Sequence, residues 1–226
     1  MPGERVEFGS NGSKAQAYLA TPATGGGPAL IVIQEWWGLV AHIKAVADRF
    51  ASAGFVALAP DLYRGESTAK PDEAGRLMMA LDIERAVRDL DGAVRYLLAR
   101  PGVAPKRVGV VGFCMGGQLA LAAGCKNASV AAVVDFYGVH PNVTLDFSTL
   151  RAPVLGLFGE RDSFVTPDVA HALERALGEA GAAVDFHIYP DAEHAFFNDT
   201  RADVYHPEAA LDAWTRTLAF LHENLA

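Results

Sequence analysis

The stretch that decides the fold is Gly112-Phe113-Cys114-Met115-Gly116-Gly117, in which a glycine stands two positions before and two positions after a cysteine. Residues 107–111 form a short apolar run before it, which is typical of a buried strand. Residues 118–123 are rich in Ala and Leu and predict a helix that ends at Gly124. The order strand, sharp turn and helix places Cys114 at the apex, as in a nucleophile elbow.

The residue types around Cys114 suit such a turn. Glycine at positions 112 and 116 removes Cβ atoms that would collide where the chain folds so tightly. The free N–H groups and the dipole of the following helix favour a thiolate at Cys114, and they leave the Met115 amide free to hold a developing oxyanion. The alternative is a Gly-rich turn around an inert, packed cysteine.

Length and cysteine content favour one self-sufficient domain over residues 1–226, since 226 residues are normal for a single α/β domain. A chain of this length buries about 70 to 75% of its unfolded surface, so its core needs no disulfide or metal. The two cysteines, Cys114 and Cys125, would lie about 16 Å apart on one helix, too far for a disulfide. Free thiols are typical of the cytoplasm, where we expect this protein.

Charge and hydropathy disfavour several classes of partner. The formal net charge is -8 and no stripe of Lys and Arg occurs, which disfavours nucleic acid. No apolar stretch approaches the length of a membrane span, and residues 1–5 do not begin a signal peptide. No metal-ligand spacing or phosphate-binding motif is found, which disfavours a metal site and phosphate binding. A monomer and a small homo-oligomer both fit the composition.

Strand and helix patterns alternate along the chain after a predicted hairpin over residues 5–8 and 14–20. The later strands are predicted over 29–33, 55–59, 107–111, 131–136, 154–158 and 184–189, and the other helices over 41–52, 83–100, 167–180 and 207–224. This alternation predicts an α/β fold with a mostly parallel central sheet flanked by helices on both faces. Sites in such sheets form beyond the carboxyl ends of the strands.

Loops that follow predicted strands carry Glu35, Cys114, Asp162 and His194. The chain order nucleophile, acid, histidine is that of the α/β-hydrolase triad. We expect the Cys114 thiolate to attack an ester carbonyl, His194 to act as the base, and Asp162 to fix the tautomer of His194. The amides of Met115 and Trp36 would then form the oxyanion hole.

Other roles remain open for these acids. Asp162 could be a turn residue or a helix cap, because Asp favours both positions. Glu160 is then the next candidate for the acid, and Asp191 or Glu193 is a weaker one. Glu35 could be a solvated loop carboxylate.

The chain resembles the dienelactone hydrolase family (carboxymethylenebutenolidases) over about residues 5 to 223. The likeness rests on Gln34-Glu35 with Gly38, Pro60-Asp61-Leu62-Tyr63, the elbow, Tyr137-Gly138-Val139, Asp162 with Phe164-Val165, and His194 with Phe196. It implies an α/β-hydrolase fold and hydrolysis of an unsaturated cyclic ester by a Cys-His-Asp triad without metal or cofactor. It also implies that Glu35 contacts the cysteine and takes its proton when substrate binds.

The sequence departs from the family at two substrate-binding positions. Family members that act on dienelactone hold its carboxylate with two arginines, whose positions by ungapped count are Pro71 and Asn198 here. Arg76 and Arg201 lie nearby and are candidate substitutes. Further candidate substrate-binding residues are the aromatic side chains Tyr63, Tyr137, Phe164 and Phe196, and residues 67–79 form a candidate lid.

The sequence therefore predicts a hydrolase that cleaves a small ester or lactone through a thioester acyl-enzyme. One rival hypothesis is a non-catalytic ligand-binding protein on the same scaffold. Another is a redox-sensing thiol, which is disfavoured because no resolving cysteine lies within reach of Cys114.

Overall fold

A computed structural model describes residues 3–225, so residues 1, 2 and 226 of the predicted domain lie outside the described residues. Eight strands form one sheet in the order β1-β2-β4-β3-β5-β6-β7-β8. The strands are β1 (Glu4–Ser10), β2 (Ser13–Ala20), β3 (Gly27–Ile33), β4 (Val56–Pro60), β5 (Val103–Phe113), β6 (Val130–Phe136), β7 (Val154–Gly159) and β8 (Val184–Tyr189). Strand β2 pairs antiparallel with β1 and β4, and all other pairs are parallel. The predicted mostly parallel sheet is confirmed.

Helices cover both faces of the sheet. They are α1 (Ala41–Ser52), α2 (Pro71–Ala80), α3 (Ile83–Ala99), α4 (Met115–Lys126), α5 (Pro167–Glu179) and α6 (Pro207–Leu225), with a short 3₁₀ turn over Phe147–Thr149. Side chains of β3 alternate between the layers, since Leu30 packs in the cluster that holds Phe50 of α1, and Ile31 packs in the cluster that holds Leu90 of α3. A strand apolar on both faces is what a sheet buried between two helical layers requires.

The helix after the elbow does not end at Gly124, as the sequence predicted, but continues to Lys126. A Cβ at position 124 would lie 2.7 Å from Leu150 Cδ1 and 2.9 Å from Val133 Cγ2. Glycine is therefore present for close packing of α4 against the sheet, and it does not end the helix.

The predicted lid region, residues 67–79, is mostly helix α2. The Thr68 amide donates to the Trp37 carbonyl at 3.1 Å, and the Met78 carbonyl lies 3.2 Å from Nε2 of His140. Both ends of the segment are therefore hydrogen-bonded to the body of the protein, and its movement stays a prediction. Within residues 3–225, no helix combines the length and the apolar character needed to cross a membrane.

Candidate active site

Cys114 alone joins strand β5 to helix α4, with φ 55° and ψ −124°. This backbone conformation is costly for a residue with a Cβ, so the surrounding contacts must hold it. The Cys114 amide donates to the Phe136 carbonyl at 3.0 Å, and the Cys114 carbonyl accepts from the amides of Gly117 at 2.9 Å and Val139 at 3.2 Å. The nucleophile elbow predicted from the sequence is thus built between β5, β6 and α4.

The glycines of the elbow allow three backbone segments to meet. A Cβ at Gly112 would lie 1.8 Å from the Gly116 carbonyl oxygen. A Cβ at Gly116 would lie 2.6 Å from the carbonyl oxygen of Gln34, just after β3, so this glycine makes room for a neighbouring strand end as well as for the turn. A Cβ at Gly117 would lie 2.0 Å from Oδ1 of Asp135. Each of these distances is too short for any side chain.

Asp162 follows β7 and His194 follows β8, and the parallel pairing of these strands brings the two side chains together. Nδ1 of His194 lies 2.7 Å from Oδ2 of Asp162, whose side chain is fully buried. Oδ1 of Asp162 accepts from the amides of Phe164 at 2.7 Å and Val165 at 2.9 Å. Asp162 is therefore both a turn residue and the partner of the imidazole, and the two roles use different oxygens.

The charge state of His194 is set by competing effects. Burial lowers its pKa, but the hydrogen bond with Asp162 and the nearby Cys114 thiol raise it to about 10. A ring with this pKa holds a proton at neutral pH.

Glu35 is buried to 1% exposure at the end of β3. Its Oε2 accepts a hydrogen bond from Nδ2 of Asn198 at 2.8 Å, and Asn198 is oriented in turn by Thr200, which donates from its amide and hydroxyl to Oδ1. Its other oxygen, Oε1, has no hydrogen-bond partner among residues 3–225. Burial raises the pKa of Glu35 to about 7, although the charge of His194, the Asn198 bond and the charge of Arg201 oppose the shift. Among the hydrogen bonds of residues 3–225, none joins Glu35 to Cys114.

Cys114 and His194 open into a cavity of about 310 Å³ at the carboxyl ends of the strands. Its walls are formed by Glu35, Trp36, Trp37, Met78, Cys114, Val139, Arg161, Ser163, Phe164, Glu193, His194, Ala195, Arg201, Asp203 and Val204. A space of this size suits a small molecule. Within residues 3–225, no group of three His, Cys, Asp or Glu side chains could hold a metal ion.

Of the four aromatic candidates, one lines the cavity and the other three are buried in the interior. Phe164 is 61% exposed, and its ring lies edge-on to His194 at 5.1 Å. Tyr63, Tyr137 and Phe196 are buried and do not line the cavity. Tyr137 packs 5.0 Å from the His194 ring, and the Tyr63 hydroxyl lies 3.1 Å from Met115 Sδ. These three rings therefore pack around the site and do not form its wall.

The two candidate arginines also differ. Arg201 lines the cavity, where its Nη2 lies 2.6 Å from Oδ2 of Asp203. Arg76 is exposed on α2 and is absent from the cavity wall, which receives Met78 from that helix instead. Neither of the alternative acids, Asp191 and Glu160, forms a hydrogen bond with His194. Asp191 pairs with Arg161, and Glu160 accepts from the Asp191 amide at 3.1 Å.

Sequence reasoning did not single out Asp135, a fully buried carboxyl at the end of β6. It lies between the first turn of α4 and the turn at Gly138, where added Cβ atoms on Gly117 or Gly138 would reach Oδ1 at 2.0 and 2.1 Å. Burial raises its pKa to about 7, although the Gly138 amide and the charge of His194 oppose the shift. An acid at the end of an otherwise apolar strand was the signal available in the sequence.

The Dienelactone hydrolase family model matches residues 15–225, almost the whole described chain. The chain belongs to the dienelactone hydrolase family. This confirms the predicted family and the α/β-hydrolase fold, and it makes the protein a hydrolase that acts on ester bonds.

Relatives of this dienelactone hydrolase family member match along their full length. The chain is 40% identical to "Protein usf" of Aquifex pyrophilus, with 99% of each chain covered. It is 35% identical to a "Putative carboxymethylenebutenolidase" of Aquifex aeolicus, again with 99% of each covered. The crystal structure named "Putative Dienelactone Hydrolase" from Klebsiella pneumoniae superposes with a TM-score of 0.86 at 32% identity, covering 98% of this chain and 99% of that one.

Proposed function

We propose that this family member hydrolyses a small ester or lactone by thiol acyl transfer, with Cys114 as the nucleophile. The observation that carries the proposal is the position of His194. Its Nδ1 is 2.7 Å from buried Asp162, and the Cys114 thiol is close enough to raise its pKa. Since Asp162 occupies Nδ1, Nε2 is the ring nitrogen left for the thiol.

In the acylation step, the sulfur of Cys114 forms a bond to the substrate carbonyl carbon and the carbonyl oxygen becomes an oxyanion. The Met115 amide is the first of helix α4 and so has no acceptor within the helix, which leaves it free to bind that oxyanion. The Trp36 amide, in the loop after β3, is the second proposed donor. Collapse of the intermediate breaks the bond to the leaving alkoxide, which takes a proton from His194.

In the second step, neutral His194 removes a proton from water, which attacks the thioester carbonyl. The carbon–sulfur bond breaks, the acid is released, and the thiolate of Cys114 returns beside the imidazolium. Asp162 stabilises the imidazolium and keeps the ring in one orientation throughout. In a lactone the leaving alkoxide stays attached to the acyl group, so ring opening and acylation are one event.

Glu35 is the proposed acceptor of the Cys114 proton when the enzyme starts from the neutral thiol. A carboxyl whose pKa is raised to about 7 is a better base than an ordinary glutamate and can still be ionised near neutral pH. Glu35 and Cys114 both line the same cavity, and Oε1 of Glu35 has no hydrogen-bond partner among residues 3–225, so this oxygen is the proposed acceptor of the thiol proton.

A burst experiment tests this function. Wild-type protein mixed with p-nitrophenyl acetate should release a burst of p-nitrophenol equal to the enzyme concentration, followed by turnover, if deacylation is the slower step. A set of small lactones, followed by acid release at several pH values, tests ring opening. No hydrolysis of any ester or lactone by folded protein would reject the proposal and favour the non-catalytic binding protein.

A further inference from the structure

The charged groups around the cavity determine which acyl groups it accepts. We propose that the site selects esters or lactones whose acyl part carries no negative charge, an inference that rests on the proposed function. Its basis is that every guanidinium lining the cavity is already paired with a carboxylate, while a buried acid lies at the inner end.

The inner end of the cavity is acidic. Glu35 lines it at 1% exposure, and Asp162 lies directly behind His194. The reacting sulfur of Cys114 adds a further negative charge when it is a thiolate. The imidazolium of His194 balances one of these charges, and Glu35 itself lines the cavity while Asp162 does not. A carboxylate close to the scissile carbonyl would therefore meet the charge of Glu35, and that of the thiolate, in a region shielded from water, where like charges repel strongly.

Arg201 is the inner of the two cavity arginines, and it is already balanced by acids. Its Nη2 bonds to Asp203 at 2.6 Å, and its charge also acts on Glu35, whose pKa it lowers. An exposed ion pair is weak in itself. Asp203, however, lies two residues along the same loop, so it competes with a substrate carboxylate at high effective concentration.

Arg161 lies at the outer rim and pairs with Asp191. Both side chains are more than three-fifths exposed, so water screens this arginine from a bound ligand. Glu193 also lines the cavity and adds a negative charge near the same rim. Asn198 has no charge, and its amide group is used on Glu35.

The rest of the wall is apolar. It consists of Trp36, Trp37, Met78, Val139, Phe164, Ala195 and Val204, with Ser163 as a neutral polar group. Such a surface stabilises an alkyl or aromatic acyl group by burial and offers nothing to replace the hydration of an anion.

Three esters that differ only at the far end of a six-carbon acyl chain test the inference. They are p-nitrophenyl hexanoate, mono-p-nitrophenyl adipate and its methyl ester, assayed with the wild type near pH 8. We expect kcat/KM for the two neutral esters to agree within about 3-fold and to exceed that of the adipate anion by about 10-fold or more at low salt. The gap should narrow as salt screens the charges.

The variant Asp203→Asn tests the part played by Arg201. Once Arg201 is released from Asp203, the ratio of kcat/KM for the adipate anion to kcat/KM for its methyl ester should rise by about 3-fold or more. Asp212→Asn is the matched control, since Asp212 pairs with Arg216 on α6 at 2.5 Å, away from the cavity. An unchanged ratio in Asp203→Asn would contradict the role given to the Asp203 pair.

The outcomes separate the inference from the function beneath it. Equal or faster hydrolysis of the adipate anion would overturn the inference and leave the proposed function intact. Slow hydrolysis of both adipates relative to the hexanoate would also overturn it, because polarity and not charge would then decide. No hydrolysis of any of the three by folded protein would reject the proposed function itself.

Discussion

The two ends of helix α4 each carry a cysteine, and the surroundings of these cysteines differ in every respect that governs thiol chemistry. Cys114 precedes the helix, lines the cavity and neighbours His194. Cys125 lies in the last turn, where burial raises its pKa and the Thr149 hydrogen bond only partly opposes the shift. Cys125 also lines a concave surface, but one without a histidine.

The comparison shows that residue type alone does not make a nucleophile. The helix N-terminus favours a thiolate and its C-terminus disfavours one. The strained backbone at Cys114, with φ 55°, is needed to present the sulfur at the strand ends, whereas Cys125 lies in ordinary helix.

The largest expected effect is the loss of the nucleophile. Cys114→Ala should lower kcat/KM for p-nitrophenyl acetate by about 10⁴-fold or more, because the remaining site can only bind and orient the ester. Cys125→Ala should stay within about 2-fold of the wild type. Steady-state assays of both variants measure the difference, and similar activity in the two would contradict the distinction between the helix ends.

The next effect concerns the acid behind His194. Asp162→Asn should lower kcat by about 10³-fold or more, because an amide neither stabilises the imidazolium nor fixes its orientation. Glu160→Gln is the control, since Glu160 lies in the same loop and its side chain accepts a hydrogen bond from the Asp191 amide. If Glu160→Gln were the more damaging change, the assignment of Asp162 would be wrong.

The third prediction concerns stability and pH. The folded-state pKa of Glu35 is about 7, above its ordinary value of 4.5. Between these two pH values the folded protein keeps a proton on Glu35 that the unfolded chain has lost. Ionisation of Glu35 therefore costs the wild type stability as pH rises through this window. The free energy of unfolding of Glu35→Gln, relative to wild type, should increase by about 3 kcal/mol between pH 4 and pH 8.

Urea unfolding across this pH range measures that difference. Asp146→Asn is the control near the other end of α4. Asp146 is an exposed acid whose Oδ1 accepts from the Ser148 amide, and this bond lowers its pKa, so its effect on stability has the opposite sign to that of Glu35 and lies at lower pH. A relative stability of Glu35→Gln that is flat with pH would show that Glu35 is not a buried, perturbed acid.

The smallest effect compares two glycines within α4. A Cβ at Gly116 would meet the backbone oxygens of Gln34 and Ile33 at 2.6 and 2.7 Å, whereas one at Gly124 would meet side-chain atoms at 2.7 and 2.9 Å. Both changes gain the same helix propensity, about 1 kcal/mol. Because backbone yields less than side chains, Gly116→Ala should destabilise by about 2 kcal/mol more than Gly124→Ala in denaturant unfolding. An equal loss would contradict the tight packing of the elbow.

Patterns that depend on neighbours in the chain were predictable from the sequence. The bounds of α1 and β8 agree with prediction, because helical and strand periodicity end there at clear signals. The approach of Asp162 to His194 also followed, since parallel strands bring their carboxyl ends to one edge.

Features that depend on distant packing could not be predicted. The sequence predicts a helix end at Gly124, because the residues that it packs against, Leu150 and Val133, lie on other elements. The hydrogen bond between Glu35 and Asn198 joins residues 163 positions apart, so no local pattern indicates it. Whether an aromatic side chain lines the cavity depends on the path of its loop, which separates Phe164 from Phe196.

The central claim is that the Cys114 sulfur becomes acylated during turnover. The most direct measurement is acid-quenched peptide mass mapping of the Asp162→Asn variant during hydrolysis of p-nitrophenyl acetate, where slow deacylation lets the thioester accumulate. We predict one acetyl group on the peptide that contains Cys114 and none on the peptide that contains Cys125. An acetyl group on Cys125 alone would contradict the claim. So would turnover by the wild type if neither the wild type nor Asp162→Asn carried an acetyl group on Cys114.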